Sequence, residues 1–568
     1  MSGNGIAEAT PRTTVQAVFP DGRVLEGPKG TTIEAFARAY TGSRFTTLAA
    51  LANGHLRELT RAVEADERIE PLDLSTSEGI RVYRRSLAFM MVTAMQELHP
   101  EAEVFIDYSV PFGGYFCQIR NRPPFTAAEI EAIGRHMRSM VEADLPIHRV
   151  RMTPGEAKAI FTSRREHDKT RLVDRRSHEN FLMYQLRDRL DAFYGYMVPS
   201  TGYLPLFALM AADSGFVLRH PHREQPGTLE QPATTAKLHA IFREYGDWLR
   251  RLRIEDIGQI NETIANGRIR ETIMVSEALH EHKIASISSQ IANRRGSARL
   301  VLIAGPSSSG KTTFSKRLAI QLLAHGIRPF TLEMDRYFLN RDKTPIDEHG
   351  EHDYEALEAL DLDLLNKDVA ALIAGRQVQL PSFNFVAGVR EPGPTVQLSD
   401  DQVIVAEGIH GLNPRLLPAI SAGTVFRIYI SALTQLNVDR HNRVSTTDTR
   451  LIRRIVRDAA HRGWTAEDTL GMWEKVRRGE KRNIFPYQEN ADAMFNSALV
   501  YELAALKPLA MPLLLQVRPW SKNSVTARRL LAFLSLTDDI PSSLIPENSI
   551  LREFTGGSIF EDYLPGKE

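Results

Sequence analysis

One stretch of nine residues constrains this chain more than any other. Gly305-Pro306-Ser307-Ser308-Ser309-Gly310-Lys311-Thr312-Thr313 matches G-x-x-x-x-G-K-[ST], with the apolar run LVLIA before it and TTFSKRLAIQLLAHG after it. The order strand, glycine-rich loop, helix is the one in which such a loop does chemistry. Gly305 and Gly310 let the backbone curl so that its N–H groups face phosphate oxygens. The start of the helix adds a positive dipole end. Lys311 is placed to reach the outer phosphates of ATP, and the Thr312 hydroxyl to ligate Mg²⁺. Gly305 through Thr313 is therefore read as a nucleotide-phosphate cradle.

The surroundings agree. FTLEMD, VIVAEG and VFRIYIS are apolar strands separated by helical stretches, the pattern of a parallel sheet with right-handed crossovers. Asp335 closes the first of these and Glu407 the second, which puts both carboxylates at the carboxyl edge where ligands bind. There Asp335 is placed to accept a proton from an attacking hydroxyl, and Glu407 to hold Mg²⁺ directly or through water. Further on, DTRLIRRIVRDAAHRG (448–463) reads as an arginine-rich helix. Arg450, Arg454 and Arg457 fall at i, i+4 and i+7, on one face, and Arg453 is given no role. Phosphoryl transfer needs such charge around the migrating group, and Arg454 and Arg457 are the residues read this way. The bland alternative is a solvated helix paired to Asp458.

The chain is 568 residues long, 43% apolar and 25% charged, which excludes disorder as its main state and leaves room for several domains. Lys plus Arg and Asp plus Glu both number 70, so there is no global nucleic-acid signature. A single cysteine, Cys117, permits no intramolecular disulfide and no cysteine-cluster metal site. No apolar run approaches the ~20 residues of a membrane helix, and the first residues lack the charged-then-apolar order of a signal peptide. These features set the expectation of a cytoplasmic protein without a membrane role. His220 and His222, like His280 and His282, are close in sequence but lack a four-ligand pattern, so core or surface roles are expected.

Along the chain, residues 1–12 read as a tail. TVQAVFP and RVLEG flank the turn Pro20-Asp21-Gly22 as a hairpin, and IEAFARAY follows as a helix with a threonine cap, in a compact unit over 13–83. Residues 84–215 read as mixed α and β, 222–232 as a linker, 233–295 as a helical connector, 296–505 as the domain of the phosphate loop and 506–568 as an extension.

GPSSSGKTT, MDRYF, YEALEALD, PSFNFVAGVR, VIVAEGIHGL and DTRLIRRIVRDAAHRG, in that order, resemble the uridine kinase and phosphoribulokinase group of P-loop kinases over residues 300–505. The resemblance implies a catalytic carboxylate at Asp335 and substrate contacts at Glu355, Phe383, Arg390, Arg454 and Arg457. It also shows departures. The family's base-reading polar positions fall on the segment Phe383-Asn384-Phe385, on Gly388, on Trp464 and on Met472. Loss of those donors and acceptors predicts that uridine is a poor acceptor. At the front, FPDGRVLEGPKGTTIEAF, ALANGHLREL, RSLAF and MVPSTG resemble the TGS and editing domains of threonyl-tRNA synthetase. The positions of that family's editing centre are Arg85, Phe89, Phe193 and Met197 here, which implies no hydrolytic editing and no zinc.

The expected architecture is multidomain, α/β and α+β: a β-grasp TGS-like domain, an editing-like α+β domain, a helical connector and a P-loop kinase domain with a parallel sheet. The expected activity is ATP- and Mg²⁺-dependent transfer of the γ-phosphate to a hydroxyl of a nucleoside-like or sugar-like small molecule. The rival expectation is a nucleotide-regulated RNA-binding or ribosome-associated factor that contacts RNA through its front domains. The oligomeric state is not set by the sequence.

Overall fold

The computed structural model describes residues 11–173, 181–212, 214–294, 296–347, 350–384 and 387–563. Residues of the expected N-terminal tail before Pro11, and Phe385 of the expected base-reading segment, lie outside these. The chain divides into two compact units, one of 1–233 with 438–443 and 520–525, the other of 234–437 with 444–519 and 526–568.

The first unit begins with β1 (Thr14–Val18), β2 (Val24–Pro28), α1 (Ile33–Thr41), β3 (Ala49–Ala52), β4 (His55–Arg57) and β5 (Glu67–Leu72). These strands form one sheet in the order β2-β1-β5-β3-β4, with β1 and β5 parallel. Thr32 caps α1, its hydroxyl accepting from the Ala35 N–H. Next come α2 (Ser77–Leu98), β6 (Glu103–Val110), β7 (Gly114–Arg120), α3 (Ala127–Glu142), β8 (His148–Met152), α4 (Pro154–Ser163), α5 (His167–Val173), β9 (Phe181–Leu186), β10 (Arg189–Asp191), β11 (Ala208–Ala212) and β12 (Gly215–Arg219). They make a four-stranded sheet β11-β12-β7-β6 and a three-stranded sheet β10-β9-β8. α2 runs unbroken through the expected boundary at residues 83 and 84, because its buried residues serve one apolar core shared by both halves of the unit. The architecture of these sheets is compatible with TGS and editing-like domains.

The second unit opens with three helices, α6 (Ala236–Leu252), α7 (Ile257–Ala265) and α8 (Ile269–Asn293). It continues with β13 (Leu300–Ala304), α9 (Lys311–Ala324), β14 (Arg328–Glu333), α10 (Leu362–Ile373), β15 (Val378–Asn384), β16 (Val389–Val396), β17 (Gln402–Glu407), β18 (Val425–Ser431), α11 (Thr446–Arg462), α12 (Ala466–Asn483), β19 (Ala493–Asn496), α13 (Glu502–Leu515), α14 (Ser524–Leu534) and α15 (Arg552–Thr555). A five-stranded sheet, β14-β17-β13-β18-β19, is parallel throughout. Central β13 is buried at every residue, as expected for a strand covered on both faces. Its register, Ile303 opposite Glu407 and Ala304 opposite Tyr429, sets the phosphate loop at the carboxyl edge between β17 and β18. β15 and β16 pair as a separate antiparallel hairpin. Among the described residues, no helix is long and apolar enough to cross a membrane.

Candidate active site

The loop from Gly305 to Gly310 leaves β13 and enters α9 at Lys311. Gly305 is obligatory by space, since a β-carbon there would run into the Ile430 carbonyl. Gly310 has φ +85°, in the left-handed region, and a β-carbon would also strike Ile550. Ser308 shares the left-handed region at φ 57°. Lys311 Nζ donates to the Gly305 and Pro306 carbonyls at 3.0 and 3.2 Å. Removal from water lowers the Lys311 pKa, while Glu407 and Glu553 oppose the shift.

Thr312 Oγ1 donates to Glu407 Oε1 at 3.1 Å, so the end of β17 and the first turn of α9 meet. Glu407 Oε2 is buried without a hydrogen-bond partner. Desolvation pushes Glu407 up to about 7, the Lys311 charge opposing. A carboxylate and a hydroxyl are hard oxygen donors of the kind Mg²⁺ takes, and the orphaned oxygen is free for one more interaction. Among the described residues, no group of three or more His, Cys, Asp or Glu converges as a metal-binding set. Any Mg²⁺ here would thus draw its remaining ligands from water and substrate phosphates.

β14 ends at Glu333, so Asp335 does not close the strand as expected; it sits in a turn of 3-10 helix, Met334–Tyr337, just beyond. The residue keeps surface open to solvent, but protein surrounds its carboxyl closely enough to strip much of its hydration, and the Lys311 charge acts on it. Its pKa is raised, by desolvation first and by Glu333 in addition. Glu355 lies against α12: a β-carbon on Gly479 would come within 2.8 Å of Glu355 Cβ, and Asn483 donates to the Glu355 carbonyl at 2.5 Å. Desolvation and the neighbouring Glu480 push Glu355 up to about 7, against Arg454 and Lys311.

The arginine helix α11 is not a solvated one. Arg450, Arg453 and Arg454 are buried. Arg450 donates to both Glu480 oxygens, at 2.5 and 2.8 Å, and to the Ser307 carbonyl at 3.0 Å. Glu480 in turn accepts from the Ser307 N–H at 2.9 Å. Arg453 pairs with Glu502 at 2.5 Å and donates to the Ser308 and Ser497 carbonyls at 3.4 and 2.8 Å. Arg454 donates to Ser307 Oγ at 2.9 Å and to Asp458 at 3.1 Å, and Arg457 also meets Asp458, at 2.9 Å. The pairing with Asp458 therefore exists, inside the protein rather than on its surface. The sequence reading missed Glu480 and Glu502, which lie in charged or ordinary helical stretches with no motif, and did not see that Arg450 and Arg453 hold the loop.

Phe383 and Arg390 face each other in the register of the β15–β16 hairpin. The Phe383 ring meets Phe338 edge-on at 5.7 Å, and Arg390 pairs with Asp361 at 2.6 Å. β15 packs against the turn that carries Asp335, which relates the hairpin to the site. Arg390 itself is engaged away from the loop. Gly388 has φ +70° and is covered by Arg341. Trp464 and Met472 are 36% and 42% exposed.

In the first unit, Phe89 and Phe193 are buried with ring centroids 5.3 Å apart. Arg85 donates to the Tyr196 carbonyl at 2.6 Å and lies on Gly195, whose φ is +130°. Met197 is buried in the same core as Phe89 and Phe193. Burial lowers the Arg85 pKa. His220 and His280 are buried, their rings beside the Pro221 and Ala498 carbonyls, and desolvation holds His280 down to about 3.

Residues 300–504 match the Phosphoribulokinase / Uridine kinase family. The N-terminal region is similar to threonine–tRNA ligases. The one from Symbiobacterium thermophilum is 32% identical over 207 residues, 36% of this chain and 32% of that protein. The one from Azoarcus sp. is 32% identical over 193 residues, 34% of this chain and 30% of that protein. The chain thus spans about a third of the length of these relatives. Among solved structures, a possible uridine kinase from Bacillus stearothermophilus is 24% identical, covering 38% of this chain and 97% of that one, with a TM-score of 0.24. D-glycerate 3-kinase from Cryptococcus neoformans is 16% identical, covering 35% and 87%, with a TM-score of 0.27.

Proposed function

We propose that the second unit is an ATP- and Mg²⁺-dependent kinase whose acceptor is a hydroxyl of a nucleoside-like or sugar-like small molecule. The observation that carries this reading is the meeting of Lys311, Thr312 and Glu407 at the carboxyl edge of the sheet, with Glu407 Oε2 unpartnered and Asp335 within their field. The family match over 300–504 supports it. The loop from Gly305 to Thr313, through the N–H groups that its other contacts leave open, and Lys311 would hold the ATP phosphates. Thr312 and Glu407 would hold Mg²⁺, which when bound neutralises charge on the phosphates. Asp335 would take the proton of the acceptor hydroxyl; its raised pKa makes it a better base than an ordinary aspartate. Glu355, Phe383 and Arg390 would contact the acceptor, Arg390 from the hairpin strand opposite Phe383. Arg454 and Arg457 would steady substrate or the transferring phosphoryl group. On this reading the first unit, with residues 13–83 as a TGS-like and 84–215 as an editing-like domain, is a binding or scaffold module in a cytoplasmic protein.

The test is ATP turnover by the full chain with a panel of nucleosides, sugars and pentose phosphates. We expect turnover that requires one small acceptor and falls ~10²–10³-fold in Lys311→Ala, the usual loss for one preorganised charge at a transferring group. Uridine should rank low, because burying an unread uracil edge costs ~1–3 kcal/mol per unsatisfied group. Turnover stimulated by RNA and by no small molecule would favour a nucleotide-regulated RNA-binding factor and overturn the kinase reading.

A further inference from the structure

The stretch 506–568 has no part in the reaction as described, yet it reaches the phosphate loop. Glu553, in α15, accepts a hydrogen bond on Oε2 from the Thr313 N–H at 3.0 Å. α9 starts at Lys311, so the Thr313 amide belongs to the first turn, whose N–H groups have no partner inside the helix. Those amides are what a helix entry offers to phosphate oxygens. A carboxylate oxygen and a phosphate oxygen are the same kind of acceptor, and this N–H cannot serve both at full strength.

The rest of the segment is fitted to the loop. Ile550 stands over Gly310, where a β-carbon would strike its Cγ2. Phe554 is fully buried with the Arg453 guanidinium 5.0 Å from its ring centroid. Lys316, on the same helix as Thr313, donates to the Phe560 carbonyl. The charge of Glu553 is felt at the site, where it favours the charged form of Lys311 and disfavours that of Glu407.

Glu480 supplies the contrast. It also takes a loop N–H, from Ser307, but it is fully buried and neutralised by Arg450 and Arg477. It is a fixed wall. Glu553 is half-buried on a helix of four residues, and among the described residues no Lys or Arg forms a salt bridge with it. Moving its side chain breaks one hydrogen bond rather than a buried ion pair.

We propose that Glu553 is a built-in competitor of the nucleotide: its carboxylate occupies the Thr313 N–H that an ATP phosphate would take, and the C-terminal segment shifts when ATP seats. The proposal rests on the phosphate-loop reading above. It makes the segment a restraint that any influence on residues 549–560 would tighten or relax.

The test is equilibrium binding of a fluorescent ATP analogue with Mg²⁺ to the full chain, without acceptor. The chains compared are wild type, Glu553→Gln, Glu553→Ala and Lys311→Ala. Glu553→Gln keeps the shape and removes the charge that makes the bond strong and repels phosphate. We expect Kd to fall about five-fold or more in Glu553→Gln and further in Glu553→Ala, and to rise in Lys311→Ala. Amide hydrogen exchange over 549–560 should quicken when ATP is added to the wild type. Equal or weaker binding by both Glu553 variants, or slower exchange over 549–560 with ATP, overturns the competitor while leaving the kinase reading intact. If all four chains bind alike or not at all, the phosphate-loop reading fails and this proposal falls with it.

Discussion

Removing the Arg450 charge should separate the stability of the phosphate loop from its activity. Arg450 and Glu480 are each 1% exposed, and together they take both the carbonyl and the N–H of Ser307. In Arg450→Met the apolar stem remains but Glu480 keeps only Arg477, at 3.3 Å, as a cationic partner. Breaking a buried pair from one side costs ~3–5 kcal/mol. The orphaned Ser307 carbonyl adds ~0.5–1.5 kcal/mol, and Arg477 returns part of this, so the expected loss is about 3–5 kcal/mol in the second unit. The double variant Arg450→Met/Glu480→Met strands no buried carboxylate, and the charge it leaves without that partner, Arg477, is the more exposed one at 21%. Like the single variant it orphans the Ser307 carbonyl, and it also leaves the Ser307 N–H without its acceptor, ~1–3 kcal/mol; that is less than a stranded buried carboxylate costs, so the double variant should be the more stable of the two. The single variant releases the Ser307 carbonyl and the double variant its N–H as well, and both should lose most of their kcat/KM. Hydrogen exchange over β13, the loop and α9 reads the stability, and steady-state turnover reads the activity. A single variant within about 1 kcal/mol of wild type, or a double variant with full turnover, would refute the argument.

Asp335→Asn should keep nucleotide binding and lose transfer by ~10²–10⁴-fold; a kcat within about threefold of wild type, measured with the true acceptor, would remove Asp335 as the base. Glu407 is pushed up to about 7, so between its ordinary value and that pH the folded chain holds a proton the unfolded chain has released. Its contribution to stability therefore falls as pH rises through that window, and Glu407→Gln should gain on wild type from about pH 5 to about pH 7; a difference in unfolding free energy that does not change with pH would contradict this. In the front unit, Arg85, Phe89, Phe193 and Met197 offer no metal ligand set, so the chain should neither bind stoichiometric zinc nor deacylate serine-charged threonine tRNA. Metal analysis and a deacylation assay on the full chain check it, and one zinc per chain would refute it.

The fold was legible wherever local pattern and burial coincide. LVLIA, VIVAEG and VFRIYIS are short apolar runs, and they are three neighbouring strands of the parallel sheet, although no α-helix but only the short 3-10 turn Ala422–Thr424 stands between the last two. The threonine before IEAFARAY is the cap of α1. The boundary near Tyr83 was not legible, because α2 feeds one core on behalf of two folding patterns and nothing in SEGIRVYRRSLAFMMVTAMQEL marks a seam. The place of Asp335 was off by two residues for a similar reason. FTLEMD reads as one apolar strand, while β14 stops at Glu333 and a turn begins at Met334.

The candidate site divides along the same line. Glycine spacing, a Lys-Thr pair and carboxylates after strands are local signals; Thr312 bonds Glu407, and the Lys311 charge acts on both Glu407 and Asp335. The groups that hold the loop are not local. WEKVRRGEKRN reads as a solvated charged face, and only the packing of α12 against α11 and the loop turns Glu480 inward to meet Arg450 and Ser307. Helical spacing put Arg450 on the face of Arg454 and Arg457, yet it says nothing of depth: Arg450 turns to Glu480 and the loop backbone, while Arg457 stays half-exposed beside Asp458. Charge in a sequence is thus ambiguous between solvent and a buried partner. The ambiguity is greatest where the partner is far along the chain, as Glu553 is from Thr313. A loop built to hold phosphate presents free N–H groups to any acceptor that can reach them. Two glutamates from distant segments do reach them in this chain, one paired with arginines and one without such a pair. That difference in pairing decides which is scaffold and which can yield to a nucleotide.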